Sequence, residues 1–154
     1  MGYLRINNLY KSPEILAFKT CYALEKIHGT SAHVRWTEGQ VGFFSGGESH
    51  GRFVTLFDKD ELTKRFTEKF GLRDVVVFGE AYGGKQQGMS ATYGKELSFI
   101  AFDIRIDDLW LMVPNAAELA VSLGFEFVDY VEISTDQTSI DRERDKPSTQ
   151  AVRN

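Results

Sequence analysis

The pattern of apolar and polar residues predicts a chain built mainly from strands, with helices placed irregularly between them. Apolar, β-branched and aromatic runs between turn-forming residues are typical of strands. The predicted strands cover residues 20–27, 32–36, 41–45, 74–80, 97–106 and 125–133. Glu38 and Gly39 lie between the second and third of these runs, where a tight turn would join them as a hairpin.

One helix has a clear periodic signal. Leu62, Phe66 and Phe70 recur every four residues within 58–70, so a helix there would carry a single apolar stripe. Gly71 is a plausible end for it. A shorter helix is expected over 115–123.

The order of these elements predicts an α+β fold with mostly antiparallel sheets, because the helices do not alternate regularly with the strands. Residues after Ser134 are polar and are expected to form an exposed or mobile tail. We therefore divide the chain into a folded part, 1–133, and a polar tail or connector, 134–154.

Composition narrows the function only slightly. The net charge of −4 argues against a broad basic surface that wraps nucleic acid, but it leaves a local basic groove open. Cys21 is the only cysteine, so the chain can form no internal disulfide and no thiolate zinc cluster, which fits a reducing, cytoplasmic setting. No apolar run reaches the length of a membrane span.

Three segments carry candidate chemistry. In LEKIHGTS, Lys26 stands at the end of a predicted strand, before a glycine-containing turn, where its side chain could reach into a cleft. In VFGEAYGG, an apolar strand delivers Glu80 and then opens into a glycine-rich loop, 81–90. Taken singly, the first is more typical of a solvated surface lysine, and the second is at least as typical of a strand that simply ends in a turn.

The third segment is FIAFDIR. Strict alternation would place Phe102 with Ile104 and Ile106 on one face of the strand, and Ala101, Asp103 and Arg105 on the other. An aromatic side chain on a strand can stack on a base, although core packing is the commoner role of a phenylalanine.

Taken together and in this order, the segments EKIHGTS, FGEAYGG and SFIAFDI resemble the motifs of the covalent nucleotidyltransferases, which include polynucleotide ligases and RNA capping enzymes. His28 stands where DNA ligases and capping enzymes usually have Asp, so the chain resembles the ATP-dependent RNA ligases of the T4 type 2-like branch. The resemblance covers about residues 20–133 and implies the nucleotidyltransferase domain of a ligase.

The resemblance implies specific roles. Lys26 would attack the α-phosphate of ATP and carry AMP covalently, after its amine has lost a proton. The AMP would pass to the 5′-phosphate of an RNA, and a 3′-hydroxyl would then seal the strand. Glu80 would contact the ribose or a metal, Mg²⁺ or Mn²⁺, and Phe102 would stack on adenine. His28 would act in the later steps.

The other nucleotide-binding residues implied by the resemblance are Glu25, Ile27, Gly29 and Gln87. Arg52 is a substitute candidate, because the nucleotide-contacting arginine of related ligases is missing from the Ser45–Gly47 stretch. His33 and His50 are expected to be packed or solvated, and no histidine metal site is predicted.

The chain also departs from the family pattern. Ser31 stands where T4-like ligases usually have Asn. The later Glu-Gly and Lys-x-Lys strands of the family are absent, so we expect a truncated ligase domain with weak or absent adenylylation. Three alternatives stay open: a DNA ligase or capping-type enzyme, a non-catalytic module that binds nucleotide or RNA, and a purely structural domain.

Overall fold

A computed structural model describes residues 2–153, with the backbone alone for residues 152 and 153. Strands and helices are mixed irregularly along this range, as predicted for an α+β fold. The strands are β1 (Thr20–Leu24), β2 (Thr30–Thr37), β3 (Gln40–Ser45), β4 (Val75–Gly83), β5 (Leu97–Ile106), β6 (Leu109–Trp110), β7 (Glu126–Phe127) and β8 (Tyr130–Ser134). The helices are α1 (His50–Val54), α2 (Lys59–Phe70), α3 (Ser90–Tyr93), α4 (Val113–Ser122), α5 (Gln137–Arg144) and α6 (Thr149–Arg153), and Pro13–Ala17 and Gln86–Gly88 form 3-10 turns.

The strands form one large sheet and one small ribbon. The large sheet has the order β3-β2-β4-β5-β6 with antiparallel neighbours, and β7 adds to β5 as a parallel strand. The ribbon consists of β1 and β8 alone, paired antiparallel from Thr20–Ser134 to Leu24–Tyr130. The candidate chemistry lies where the ribbon meets the sheet.

The predicted hairpin and the predicted long helix are both confirmed. Glu38 and Gly39 join β2 to β3, and both have positive φ, as a two-residue hairpin turn requires. The side chain of Asp58 caps α2 by accepting a hydrogen bond from the amide of Glu61. Gly71 ends the helix at φ 58°, a conformation that favours glycine.

The main hydrophobic core lies between one face of the large sheet and the helices α1, α2 and α4. Phe66, on the apolar stripe of α2, stacks on Trp36 of β2 with ring centroids 5.5 Å apart. The Trp36 indole N–H donates to the carbonyl of Gly71, 2.8 Å away, so its polar atom is satisfied within the core. A smaller cluster, formed around Tyr82, Ile100 and Val128, lies outside this main core.

Strict alternation in β5 is wrong, because the strand contains a β-bulge. Phe78 pairs with Asp103 and the next residue, Gly79, pairs with Ala101, so Phe102 has no partner on β4. Ala101 therefore shares the helix-covered core with Ile104 and Ile106. Phe102 faces the opposite side, where it lines a cavity together with Asp103.

The predicted single strand over 125–133 is also wrong. It is split between β7, in the large sheet, and β8, in the ribbon. The break lies at Val128, which is buried in the smaller cluster and whose amide donates to the carbonyl of Ala101, 2.9 Å away. The change of direction that follows carries the chain from one sheet to the other.

The polar segment after Ser134 contains two helices, α5 and α6, which its polar composition did not predict. Asp136 begins α5 by accepting a hydrogen bond from the Ser139 amide at 2.8 Å, and the helix carries no buried residue. In α6, by contrast, Gln150 is only 4% exposed and packs beside the smaller cluster. The division of the chain at residue 133 stays a prediction. Across residues 2–153, no helix is long and apolar enough to cross a membrane.

Candidate functional site

A cavity of about 850 Å³ lies where the ribbon meets the large sheet, and it contains the three side chains singled out by the sequence motifs. Lys26 comes from the loop after β1, Glu80 from β4 and Phe102 from the bulge in β5. The remaining lining residues are Tyr3, Leu4, Ile6, Asn7, Asn8, Leu24, Glu25, Ile27, Ser31, Asp103, Leu111, Val113 and Val128. Three separate elements thus place an amine, a carboxylate and an aromatic ring around one cavity.

Lys26 is held by its neighbours in the chain, while its own side chain is exposed in the cavity. The Glu25 amide donates to the carbonyl of Asp129 at 2.9 Å, which extends the ribbon by one residue. Ile27 is 4% exposed and anchors the other side of the lysine in the smaller cluster. The backbone at Lys26 is therefore fixed on both sides, and the side chain stays accessible to a ligand.

Glu80 and Gly29 join the turn after Lys26 to strand β4. The Gly29 amide donates to Oε1 of Glu80 at 3.1 Å. A Cβ on residue 29 would lie 2.1 Å from the carbonyl oxygen of Ala81, so only glycine allows this approach. The glycine of the first motif is thus required by packing against the second motif.

Burial raises the pKa of the Glu80 carboxyl above its usual value. The hydrogen bond from Gly29 and the positive charges of Lys26 and His28 oppose this rise. The carboxylate is thus partly desolvated and close enough to Lys26 to interact with it electrostatically.

Phe102 forms an aromatic wall with Tyr3, a residue that the sequence did not single out. The rings of Tyr3 and Phe102 meet edge to face, with centroids 4.9 Å apart, and the Tyr3 hydroxyl donates to Asp103 at 2.6 Å. Tyr3 also contacts Phe78 and Trp110. The N-terminal segment is thereby held against the large sheet as one wall of the cavity. Burial raises the pKa of Asp103, although the Tyr3 hydrogen bond opposes this, and burial also raises the pKa of Tyr3.

His28 lies on the other side of Lys26. It lines a second cavity of about 810 Å³ between the ribbon and the C-terminal helices, and it does not line the cavity that contains Phe102. Glu25 and Lys26 line both cavities. The lysine thus stands between the aromatic wall and the histidine.

Arg52 and Gln87 are placed away from both cavities among the described residues. Arg52 is exposed and pairs with Glu48 at 3.4 Å. Gln87 is also exposed, whereas its neighbour Gln86 is buried and donates to Glu48 at 2.9 Å. The nucleotide-binding roles predicted for Arg52 and Gln87 stay predictions, and they would require these side chains to move toward the cavity.

The two remaining histidines are packed and solvated, respectively. His33 is 7% exposed and stacks on Phe44 at 5.0 Å, and burial lowers its pKa to about 4, with Arg35 and Arg105 contributing. His50 is exposed at the start of α1. Within residues 2–153, no group of three or more His, Cys, Asp or Glu residues is arranged to hold a metal ion by itself.

Comparison with protein families identifies the group to which this arrangement belongs. A family model described as RNA ligase matches residues 19–152, which is most of the chain. The chain belongs to the RNA ligase family. The match starts just before β1 and reaches α6, so it includes every segment that brings a motif residue to the site.

Solved structures of Naegleria gruberi RNA ligase share the fold of this RNA ligase family member. A lysine-to-methionine variant with AMP and Mn aligns with a TM-score of 0.69 at 15% identity, covering 91% of this chain and 46% of that one. An aspartate-to-alanine variant in its apo form aligns at 0.72 and 17% identity, covering 94% and 46%. A lysine-to-alanine variant with ATP and Mn aligns at 0.69 and 15% identity, covering 90% and 45%.

The chain therefore spans a little under half the length of these structural relatives. At these identities the likeness shows the fold alone. No curated protein matches the chain.

Proposed function

We propose that this chain is the nucleotide-binding and lysine-adenylylating part of an ATP-dependent RNA ligase. The observation that supports the proposal is the single cavity shared by Lys26, Glu80 and Phe102, which come from three separate elements. An aromatic ring can stack on a base, a carboxylate can accept hydrogen bonds from a ribose, and a cation can bind a phosphate. Phe102, Glu80 and Lys26 supply these three groups in that order. The family assignment and the fold shared with an RNA ligase that was solved with ATP and Mn support the same function.

The proposed reaction forms one bond and breaks one. The neutral Nζ of Lys26 attacks the α-phosphorus of ATP, a phosphorus–nitrogen bond forms, and the bond to the bridging oxygen of pyrophosphate breaks. The proton lost by the amine passes to solvent or to a nearby acceptor. Glu80 would accept a hydrogen bond from a ribose hydroxyl or hold a metal, and Phe102 would stack on the adenine.

Glu25, Ile27 and Gly29 would border the nucleotide mainly through their backbone and their packing. Ile27 and Gly29 fix the turn that carries Lys26, as their burial and close approach to β4 indicate. Arg52 and Gln87 are proposed to contact the phosphates only after the loops that carry them move inward. Tyr3, as the outer wall, would limit how far the base can slide along Phe102.

The later steps would use the second cavity. His28 is separated from the aromatic wall but shares a cavity with Lys26, so a group entering from that side could meet the lysyl-AMP. We propose that the 5′-phosphate end of an RNA takes the AMP there, and that a 3′-hydroxyl then attacks and releases AMP. A cytoplasmic location would suit such a substrate.

A divalent metal ion fits the site only when a bound nucleotide supplies further ligands. One oxygen of Glu80 accepts the Gly29 amide, which leaves the other available, and the described residues offer no three-ligand cluster. Mg²⁺ or Mn²⁺ bound by one or two carboxylates together with substrate phosphates is a common arrangement. Such an ion would neutralise phosphate charge during attack.

A second candidate function is a non-catalytic nucleotide-binding module. The cavity of about 850 Å³ that contains Phe102 has Lys26 as the only lysine or arginine among the described residues that line it. Three carboxylates, those of Glu25, Glu80 and Asp103, also line it. A triphosphate would find little positive charge there. This observation favours weak adenylylation, or binding without reaction, by the chain alone.

The decisive test is covalent labelling. We expect that ATP carrying a labelled α-phosphate, incubated with the protein and magnesium, leaves label on the protein after denaturation, whereas label in the γ-phosphate is lost. Lys26→Ala should abolish the signal. Lys19→Ala, an exposed lysine just before the same ribbon, is the matched control and should keep it.

The substrate alternatives need separate measurements. Label from GTP in preference to ATP would favour a capping-type enzyme, and preferential sealing of DNA nicks over RNA nicks would favour a DNA ligase. Saturable ATP binding without covalent label would contradict the enzyme and support the binding module.

A further inference from the structure

The C-terminal helix α6 contacts the segment that carries the proposed nucleophile. We propose that Ser148 and Gln150 are positioning residues for Lys26, because they hold the adjacent Glu25 and tie it to strand β4. The effect on adenylylation rests on the proposed function, whereas the clasp itself, defined as Ser148, Gln150 and their contacts to Glu25 and Tyr82, can be tested without it.

The first half of the clasp binds the carboxylate of Glu25. The Ser148 hydroxyl donates to Oε1 of Glu25 in a short hydrogen bond. The backbone amide nitrogen of Gln150 lies 3.4 Å from Oε1 and 3.3 Å from Oε2 of Glu25. The Ser148 oxygen also accepts the amide of Ala151 at 3.0 Å, which fixes the hydroxyl so that its hydrogen points toward the carboxylate. Both oxygens of Glu25 thus face donors from a segment more than a hundred residues away.

The second half of the clasp reaches the strand that carries Glu80. The side-chain amide of Gln150 donates to the Tyr82 hydroxyl at 2.5 Å, and Gln150 and Tyr82 are 4% and 2% exposed. Tyr82 packs edge to face on Tyr93, and the Tyr93 hydroxyl accepts the amide of His28 at 3.5 Å. The clasp therefore connects the Glu25 side of Lys26 to β4, and the contact between His28 and Tyr93 connects the other side to the same strand through Tyr82.

This connection matters because the ribbon has little packing of its own. No residue of β1 or β8 is buried, and an isolated two-stranded ribbon is only marginally stable. Attack on a phosphorus depends steeply on the position of the nucleophile, and a displacement of about 1 Å can cost about a hundredfold in rate. Contacts that hold Glu25 therefore restrict where the Lys26 amine can be.

The first measurement is amide hydrogen exchange, followed by mass spectrometry, on the whole chain. In the double variant Ser148→Ala/Gln150→Ala, we expect exchange over residues 24–29 to rise by about tenfold, with little change in α2 or β5. Thr149→Ala, an exposed residue between the two, is the matched control and should exchange as the wild type does. Tyr82→Phe removes only the hydroxyl and should give a smaller rise at the same residues.

The second measurement is the single-turnover rate of label transfer to Lys26 over a range of ATP concentrations. We expect the double variant to lower the maximal rate by about tenfold while the half-saturating ATP concentration stays within about twofold. Ser148→Thr keeps a hydroxyl and should restore most of the rate lost in Ser148→Ala. Purely structural damage would instead lower the fraction of folded protein and would spare the rate per folded molecule.

Unchanged exchange over 24–29 in the double variant would overturn the clasp, and so would a uniform rise across the whole chain. Locally raised exchange with an unchanged labelling rate would overturn the positioning role. A wild-type chain that takes no label would contradict the proposed function instead, and the exchange measurement alone would then decide the clasp.

Discussion

The large sheet and the β1–β8 ribbon are held in different ways. The sheet buries Val34, Val77 and Ile104 completely on its helix-covered face, whereas no residue of the ribbon is buried. Yet the ribbon leads into Lys26, while the sheet carries Glu80 and Phe102. Stability and the proposed nucleophile are therefore located in different parts of the molecule, and the site exists only where the two parts meet.

The largest difference between the two parts should appear in core truncations. Phe66→Ala removes a fully buried ring that stacks on Trp36, and we expect it to lower the free energy of unfolding by about 3–5 kcal/mol. Val131→Ala in the ribbon, where the side chain is 40% exposed, should cost about 0.5 kcal/mol. Urea unfolding measures both, and equal losses would mean that the ribbon is as tightly packed as the sheet.

The junction itself can be tested at Gly29. A Cβ there would lie 2.1 Å from a backbone oxygen of β4, so we expect Gly29→Ala to cost about 3 kcal/mol and to separate Gly29 from Glu80. Gly51→Ala is the matched control, because a Cβ on Gly51 meets nothing within 4 Å. Thermal unfolding compares the two. Wild-type stability in Gly29→Ala would show that the turn does not rest on β4.

His33 makes the large sheet sensitive to acid. Burial lowers its pKa from 6.5 to about 4. Between these two pH values, the unfolded chain binds a proton at this residue and the folded chain does not. Its contribution to stability is present above pH 6.5 and is lost as the pH falls toward 4, by roughly 2 kcal/mol. Replacing it with a ring of similar shape, His33→Phe, should remove this part of the pH profile of the unfolding free energy, which urea unfolding at several pH values measures.

The smallest effect is expected at an exposed ion pair of the sheet. Arg35 and Asp74 are 3.3 Å apart, but their side chains are 39% and 33% exposed. Asp74→Asn should therefore change the free energy of unfolding by less than about 1 kcal/mol. A larger loss would indicate that position in the sheet, and not burial, determines what a contact contributes.

The sequence predicted the elements whose signal is local. β5 has the predicted bounds, the hairpin turns at Glu38 and Gly39, and α2 follows its apolar stripe. The three motif residues meet in one cavity, as the resemblance to the nucleotidyltransferases implied. The helix α5 was missed although Asp136 is a typical N-cap residue, because the polarity of the segment suggested a tail.

The features that could not be predicted depend on distant partners. The contact between Tyr3 and Asp103 joins residues a hundred positions apart, and no local pattern indicates it. The split between β7 and β8 depends on which sheet each half joins, because both halves have strand composition. The docking of α6 depends on Glu25, a residue that looked like part of the nucleotide site alone.

Phe102 has no partner on β4, so the pairing between β4 and β5 does not depend on the residue that forms the aromatic wall. If that one codon were deleted, Ala101 would still oppose Gly79 and Asp103 would still oppose Phe78, and the two strands would become a regular ladder. We expect such a shortened protein to melt near the temperature of the parent in circular dichroism, and to lack the adenine-nucleotide binding that is proposed for the cavity. A single-residue deletion or insertion at this bulge would then be a simpler way to change the proposed ligand in evolution than the exchange of one side chain for another.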